Sequence, residues 1–241
     1  MSKVQEIRST LGSLKSPKKA VALQKHFMTA PGEYAAGDKF LGIDIASQRK
    51  IAQDNFEEIT FDELSQLIKS HVHEHRMTSL LILTCKFNTT KSEEDQKEIV
   101  DFYIEHLNYV NNWDLVDTTA EKILGVYLLK KERMILVNMA KSRRLWRERV
   151  ALLSTLHFVK YNDFNTSFEI IKILHQHPHD LIHQAIGKVM KEIAMRDAAS
   201  ANDFLSKLYR QMPSNMLKQA IAGFDEQSQL AYKTGAITPQ T

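Results

Sequence analysis

Asn112-Trp113-Asp114-Leu115-Val116-Asp117 is the stretch that decides the fold, because it has a counterpart in Leu145-Trp146-Arg147-Glu148-Arg149. Both stretches place a tryptophan three or four residues before a charged residue, which puts the two side chains on one face of a helix. Superposing them at these charged residues, Asp117 and Arg149, also aligns three further segments of the chain. We call the aligned residue of each segment its lead residue. The five lead residues are Arg76, Asp117, Arg149, His183 and Lys218. Their intervals of 41, 32, 34 and 35 residues predict an all-α, helical-repeat solenoid.

Most of these lead residues are cations. Stacked helical repeats place equivalent residues in a row along one concave surface, so we expect a concave basic surface that can bind phosphate. Asp117 is the exception, because its carboxylate would repel the same partner. It is therefore either a functional group or a structural charge, held by a salt bridge to Arg149 or by its place at a helix start.

The composition agrees with a helical protein that has a sizeable core. The chain has 241 residues, of which 43% are hydrophobic, with only 8 glycines and 5 prolines, and its apolar residues recur at helical spacing. We predict one domain over residues 1–241. It would consist of an irregular helical part over 1–60, with a loop at Pro31–Asp38 and a turn at Phe40–Gly42, and about five helix pairs over 61–241.

Local signals predict several helix boundaries. Thr60-Phe61-Asp62-Glu63 and Thr166-Ser167-Phe168-Glu169 both have the pattern of a capping box at a helix start. Met1–Leu23 is expected to form a polar, lysine-bearing amphipathic helix.

Several classes of function are not favoured by the sequence. No stretch approaches the roughly 20 apolar residues of a membrane span, so we expect a soluble, cytoplasmic protein. Cys85 lies in an apolar run and is expected to be a buried structural thiol. The histidines of His71–His75 and His175–His179 lack the spacing of a zinc site, so neither a metal nor a cofactor is expected.

Positive charge is concentrated in one window. Residues 130–149 contain eight cations and two glutamates, a net charge of +6, which leaves −3 for the rest of the chain. The cations are Lys130, Lys131, Arg133, Lys141, Arg143, Arg144, Arg147 and Arg149. A charge run is often only a solvated face, but this one is interleaved with Leu145 and Trp146 and includes a lead residue, which favours a phosphate-binding surface.

These residues coincide with a known pattern. The segments that carry it are Pro31–Tyr34 through Phe40–Gly42, Trp113–Asp117, Trp146 with Arg149, Gln184–Gly187, and Met212–Pro213 with Met216–Leu217. In their order and spacing the chain resembles the AlkD-type DNA alkylation repair glycosylases. These are HEAT-like helical solenoids that excise alkylated purines from DNA, and the similarity covers nearly the whole chain.

The resemblance implies roles for particular residues. Trp113 and Asp117 match the family's aromatic and catalytic carboxylate, Arg149 matches its DNA-contacting arginine, and Tyr34 matches an aromatic of the amino-terminal helices. Lys188 departs from the pattern, because many members have a tryptophan after the Ala-Ile-Gly segment.

Three functions follow as hypotheses. The first is a monofunctional DNA glycosylase for N3- or N7-alkylated purines in double-stranded DNA, with no obligate protein partner. Asp117 would stabilise the oxocarbenium-like sugar and position water, and Lys141, Arg143, Arg144, Arg147, Arg149 and Lys188 would bind DNA. The second is a non-catalytic DNA-binding protein that recognises unusual DNA structure. The third is a protein-interaction scaffold.

Overall fold

The computed structural model describes residues 2–237, and these residues are predominantly helical. Within them the extended structure is limited to one isolated bridge between Lys39 and Val72. The predicted all-α class is confirmed. No helix in the described part of the chain is long and apolar enough to cross a membrane.

The chain divides into two compact units, the first ending at Thr119 and the second beginning at Ala120. In the first unit α5 is the central helix, since α3, α4, α6 and α7 all pack against it. The α-helices of this unit are α1 (Lys3–Ser13), α2 (Pro17–His26), α3 (Ile45–Asn55), α4 (Phe61–Ile68), α5 (His73–Thr89), α6 (Glu93–Glu105) and α7 (Trp113–Thr119), with a 3₁₀ turn at Leu107–Tyr109.

The second unit is built around α12, which packs against α9, α13 and α14. It begins with a π-helical segment, Glu121–Gly125, in which the Gly125 N–H donates to the Ala120 carbonyl at 3.0 Å. The α-helices are α8 (Met134–Ala140), α9 (Leu145–Ser154), α10 (Leu156–Val159), α11 (Asn165–Leu174), α12 (Asp180–Arg196), α13 (Ala198–Ser206), α14 (Ser214–Ala220) and α15 (Glu226–Thr234), with a 3₁₀ turn at Tyr209–Gln211.

One predicted capping box is confirmed and the other is wrong. The Thr60 hydroxyl accepts from the Glu63 N–H, and the Glu63 carboxylate accepts from the Thr60 N–H, as predicted for the start of α4. Helix α11 instead begins at Asn165, one residue before Thr166. The Thr166 hydroxyl accepts from the Arg133 guanidinium at 3.2 Å, so a partner distant in sequence uses the group that would have capped the helix.

The amino-terminal prediction of a single helix is also wrong. Pro17 lies at the first position of α2 and separates it from α1, because proline is favoured at a helix start and disfavoured inside one. A capping box at Ser2 begins α1, and three of its apolar side chains are buried. Helix α2 has no buried residue at all.

The five lead residues of the predicted repeat occupy similar places in their helices. Each lead residue is the fourth or fifth residue of a helix: Arg76 in α5, Asp117 in α7, Arg149 in α9, His183 in α12 and Lys218 in α14. This common place supports the alignment of the five segments. The solenoid arrangement and the single domain stay predictions.

Candidate functional site

Helix α7 carries the two residues predicted to be catalytic. The side chain of Asn112, which is fully buried, accepts from the Trp113 N–H at 2.8 Å and donates to the Phe27 carbonyl at 3.4 Å. This pair of contacts fixes the start of α7 against the segment that ends α2. Trp113 and Asp117 follow one helical turn apart, and both are half-buried.

Trp113 belongs to an aromatic cluster within the first unit. Its ring stacks on Phe27 at a centroid distance of 5.3 Å and meets the edge of His26 at 5.8 Å. Phe27 in turn stacks on Phe40 at 5.2 Å, and Phe40 stacks on His73 at 4.4 Å. The cluster holds the indole in one orientation while part of it remains accessible.

Asp114, which the sequence analysis did not single out, has a structural role beside them. One of its carboxylate oxygens lies 2.9 Å from Nε2 of His73, and the other accepts from the Leu115 N–H at 2.8 Å. Asp114 is the acidic residue in the first turn of α7, where the helix dipole favours a negative charge. Asp117 lies beyond the first turn, so the helix-start explanation applies to Asp114 and not to Asp117.

A buried polar network lies under the start of α7. Arg76 is only 3% exposed; its guanidinium donates to the Asp38 carboxylate at 2.5 Å, to the Ser70 carbonyl at 2.7 Å and to the Asn111 side-chain oxygen at 3.0 Å. The Asn111 amide also donates to Asp38 at 3.2 Å. Because Asn111 directly precedes Asn112, this network supports the segment that leads into α7.

A second buried carboxylate shapes the segment between α2 and α3. Glu74 accepts from three successive backbone N–H groups, those of Leu41, Gly42 and Ile43, at 2.7–3.3 Å. Gly42 has φ +85°, and a Cβ on it would lie 2.2 Å from the Ser16 carbonyl oxygen. The predicted turn at Phe40–Gly42 thus wraps a carboxylate, a role that nothing in the local pattern indicated.

The pKa of His73 follows from its surroundings. Burial alone would lower the pKa, but the hydrogen bond to Asp114 and the nearby Asp38 outweigh burial and raise it above the ordinary 6.5. Nδ1 of His73 lies 4.0 Å from the Asp38 carboxylate, an ion-pair distance rather than a hydrogen bond. Burial would likewise raise the pKa of Asp38, but His73 and Arg76 outweigh it and lower that pKa.

The contact between His73 and Asp114 predicts that stability depends on pH. When the pKa of a group is higher in the folded state than in the unfolded state, the resulting stabilisation is fully present below the unfolded-state pKa. It is lost as the pH rises through the folded-state pKa. Asp114→Asn is therefore expected to lower the free energy of unfolding most near pH 6, with the deficit shrinking at higher pH. Denaturant unfolding of both proteins from pH 6 to 9 measures it; a deficit independent of pH would contradict a charged His73.

The predicted row of phosphate-binding cations is wrong for two of its members. The guanidinium of Arg76 is buried in the network above. His183 is buried as well, and its Nε2 donates to the His177 carbonyl at 2.6 Å. Both side chains bind a carbonyl six residues upstream, so they secure the connection that leads into their helix. Lys218 is exposed.

Arg149 is 4% exposed and donates to the Leu181 carbonyl within the second unit. That contact ties α9 to the start of α12, which is a structural role. Its predicted contact with DNA stays a prediction.

The basic window divides into structural and exposed cations. Arg133 is structural: its guanidinium lies 3.8 Å from the centre of the Phe158 ring and donates to Asp163 at 2.6 Å and to the Leu129 carbonyl at 2.6 Å. Lys141, Arg143 and Arg144 are exposed in the connection between α8 and α9. These three residues are called the basic loop below.

Arg143, in the basic loop, adopts φ +54°. Glu148, in the first turn of the helix that follows the loop, is buried. Burial raises the pKa of Glu148, and His177 Nε2 lies 3.2 Å from its carboxylate. The three cationic side chains of the loop are exposed. Arg147, the next predicted DNA contact, is half-buried in the first turn of α9.

The remaining predicted residues are placed as follows. Tyr34 is half-buried in the loop between α2 and α3, and Lys188 is exposed on α12. Gly187, just before Lys188, lets α12 approach α14 closely, since a Cβ there would lie 2.4 Å from Cβ of Gln219. Cys85 is half-buried rather than fully buried. Within residues 2–237 no three histidine, cysteine or acidic side chains converge as metal ligands would.

Comparison with known proteins agrees with the fold and identifies the family. A predicted DNA alkylation repair enzyme from Enterococcus faecalis has a similar structure, with a TM-score of 0.66 and 14% identity over 88% of this chain and 97% of that chain. The chain belongs to the family described as DNA alkylation repair enzyme, whose model matches residues 7–224. No curated protein matches it.

Proposed function

We propose that this protein is a monofunctional DNA glycosylase that hydrolyses the N-glycosidic bond of cationic N3- or N7-alkylated purines in double-stranded DNA. The observation that carries the proposal is the pair Trp113 and Asp117, one turn apart on α7 and both reaching the surface, in a chain of the DNA alkylation repair enzyme family. We further infer that it acts on nucleoid DNA in the cytoplasm.

The chemistry suits a single carboxylate. A purine alkylated at N3 or N7 carries a positive charge, so its glycosidic bond is already weakened and the leaving base needs no strong general acid. What remains is to stabilise the oxocarbenium-like sugar and to guide water to it, and Asp117 does both in this proposal. No lysine is needed for covalent chemistry.

Trp113 supplies the aromatic partner. An indole face attracts a cationic group by about 0.5–2 kcal/mol, and stacking on Phe27 keeps the ring from turning away. Asp114 is not a second catalytic carboxylate in this proposal, because its two oxygens already accept from His73 and from the Leu115 N–H.

DNA binding is assigned chiefly to cationic side chains at the surface. The basic loop presents three exposed cations, and Lys188, the half-buried Arg147 and Tyr34, and the mostly buried Arg149 complete the proposed contacts. Cations that neutralise phosphates release counterions, so the affinity for DNA should fall with salt.

The exposed and buried arginines of this region should respond differently to truncation. Arg144→Ala is expected to weaken binding of damaged and undamaged DNA alike and to reduce the salt slope by about one. Arg149→Ala is expected to destabilise the fold by about 1–3 kcal/mol, because it leaves the buried Leu181 carbonyl without that donor. Salt titrations and denaturant unfolding of both variants check this; an unchanged slope for Arg144→Ala would remove that side chain from the DNA interface.

The direct test of the proposed activity is release of free base. The protein is incubated with duplex DNA that contains N7-methylguanine, and the released base is separated and quantified. Release that depends on intact protein supports the proposal. Binding of this DNA without release would favour the second candidate, a non-catalytic DNA-binding protein.

Lys188 is the observation that favours that second candidate. It stands where many members of the resembled family have a tryptophan, and an exposed ammonium binds phosphate but offers no aromatic face. Lys188→Trp is expected to lower affinity for undamaged DNA while preserving or improving excision of N7-methylguanine. Both quantities are measured at one salt concentration, and unchanged affinity would show that Lys188 does not contact DNA.

A further inference from the structure

A cleft of about 490 Å³ lies in the second unit. Its walls come chiefly from the 3₁₀ turn at Tyr209–Gln211, from α14 and from the end of α15. Each of these three elements contributes one cation to the walls, namely Arg210, Lys218 and Lys233. Among the described residues that line the cleft, none is acidic. The cleft therefore gathers positive charge from three separate elements.

The charges of these cations are not neutralised by carboxylates. Within the described part of the chain, no carboxylate lies at ion-pair distance from any of the three, whereas Lys207 of the same unit pairs with Asp203 at 2.8 Å. Lys218 and Lys233 lie in the last turns of their helices, where each offsets roughly half a negative charge of the helix dipole. A net charge of about two positive units remains. A phosphate monoester, with a charge of about −1.5 to −2 near neutral pH, matches it better than a carboxylate does.

Arg210 is held in place by a buried tyrosine. Its Nε donates to the Tyr209 hydroxyl at 3.0 Å, and its guanidinium lies 5.6 Å from the centre of the Tyr209 ring. Tyr209 is only 4% exposed, and its hydroxyl donates to the Ile237 carbonyl at 3.2 Å. Within residues 2–237 the two terminal nitrogens of the guanidinium have no hydrogen-bond partner. They can therefore donate two parallel hydrogen bonds to one phosphate.

The remaining walls of the cleft are partly apolar. Met212, Leu217 and Ile221 contribute aliphatic surface, and Ser214 adds a hydroxyl. Small-molecule sites typically measure about 300–1,000 Å³ and combine apolar walls with a few polar groups. The cleft therefore has room for an organic molecule in addition to its anionic group.

We infer that this cleft binds a phosphate group carried on an apolar body. Arg210 binds the phosphate through two hydrogen bonds, and Lys218 and Lys233 neutralise its charge. The inference goes beyond the proposed glycosylase and does not depend on it, since neither Trp113 nor Asp117 takes part. The same ligand chemistry has two sources, a small phosphate ester or a phosphate of DNA.

The cleft is tested with phenyl phosphate, inorganic phosphate and phenol, by NMR titration of the isotope-labelled protein at constant ionic strength. Phenyl phosphate is expected to bind most tightly and phenol least, with saturable shifts of the Ser214 and Gly235 amide signals, because both residues line the cleft. The inference is overturned if phenyl phosphate causes no saturable shift of these signals. It is also overturned if phenyl phosphate binds no more tightly than phenol or inorganic phosphate.

Two variants test the cations. Arg210→Gln should weaken phenyl phosphate binding about tenfold or more, because it removes the paired donors but keeps a polar side chain. Lys218→Gln should weaken it about fivefold. Lys207→Gln is the matched control, because this exposed lysine is already paired with Asp203, and it should leave binding unchanged. Unchanged binding by both Arg210→Gln and Lys218→Gln, or an equal loss in Lys207→Gln, would contradict the assignment.

The two sources are distinguished by competition with undamaged duplex DNA. If DNA displaces phenyl phosphate, and the double variant Arg210→Gln/Lys218→Gln lowers the salt slope of DNA binding by about two, the cleft binds a DNA phosphate. If DNA does not displace phenyl phosphate, the cleft binds a small phosphate ester.

Discussion

Asp117→Asn is expected to lower single-turnover excision of N7-methylguanine by about 10²-fold or more, while folding and DNA binding stay nearly intact. The carboxylate is half-exposed on α7 beyond its first turn, and the amide keeps its size and shape but loses its charge. Loss of a preorganised electrostatic group typically costs about 10²–10³-fold in rate. Single-turnover kinetics on DNA with one N7-methylguanine measures the effect.

The neighbouring carboxylate provides the control for this experiment. Asp114→Asn removes the same charge from the same helix, but its expected effect is a lower free energy of unfolding through His73. If Asp117→Asn excises within a few-fold of the wild type, the catalytic assignment is wrong. If Asp114→Asn lowers the rate as much as Asp117→Asn while the protein remains fully folded, the roles of the two carboxylates must be exchanged.

Arg76→Met is expected to lower the free energy of unfolding by about 3–5 kcal/mol, because it leaves the buried Asp38 carboxylate without its cation. The loss should also disturb Asn111, which is hydrogen-bonded to both Arg76 and Asp38 and lies two residues before the start of α7. Denaturant unfolding, with the slope compared to the wild type, measures the change.

The repeat itself offers a matched control. Lys218 occupies the equivalent place in α14 but is exposed, so Lys218→Met should change stability by no more than about 0.5 kcal/mol. The double variant Arg76→Met/Asp38→Leu should recover part of the loss, since removing both partners leaves no unpaired charge. A loss below about 1 kcal/mol for Arg76→Met alone would show that the pair does not support the fold.

The features that depend on near neighbours were predictable from the sequence. Apolar periodicity with little glycine and proline indicated the all-α class, the Thr60–Glu63 pattern located the start of α4, and the spacing of Trp113 and Asp117 put both on one helix. These properties are decided within a turn or two of helix, so residues three or four positions apart are enough to specify them.

Features that depend on distant partners were decided only by the tertiary structure. Arg76 was expected at a phosphate-binding surface, but Asp38 and Asn111, 38 and 35 residues away, take it into the interior. The sequence around Thr166 has the pattern of a helix cap, but its hydroxyl instead accepts a hydrogen bond from Arg133, which is 33 residues away. A pocket of about 350 Å³ beneath α2, in the first unit, likewise forms because segments far apart in sequence pack together without filling the space between them. Whether a charged side chain is exposed or buried, and whether a cavity remains between helices, depends on which distant residues pack there. A local sequence pattern does not specify those residues.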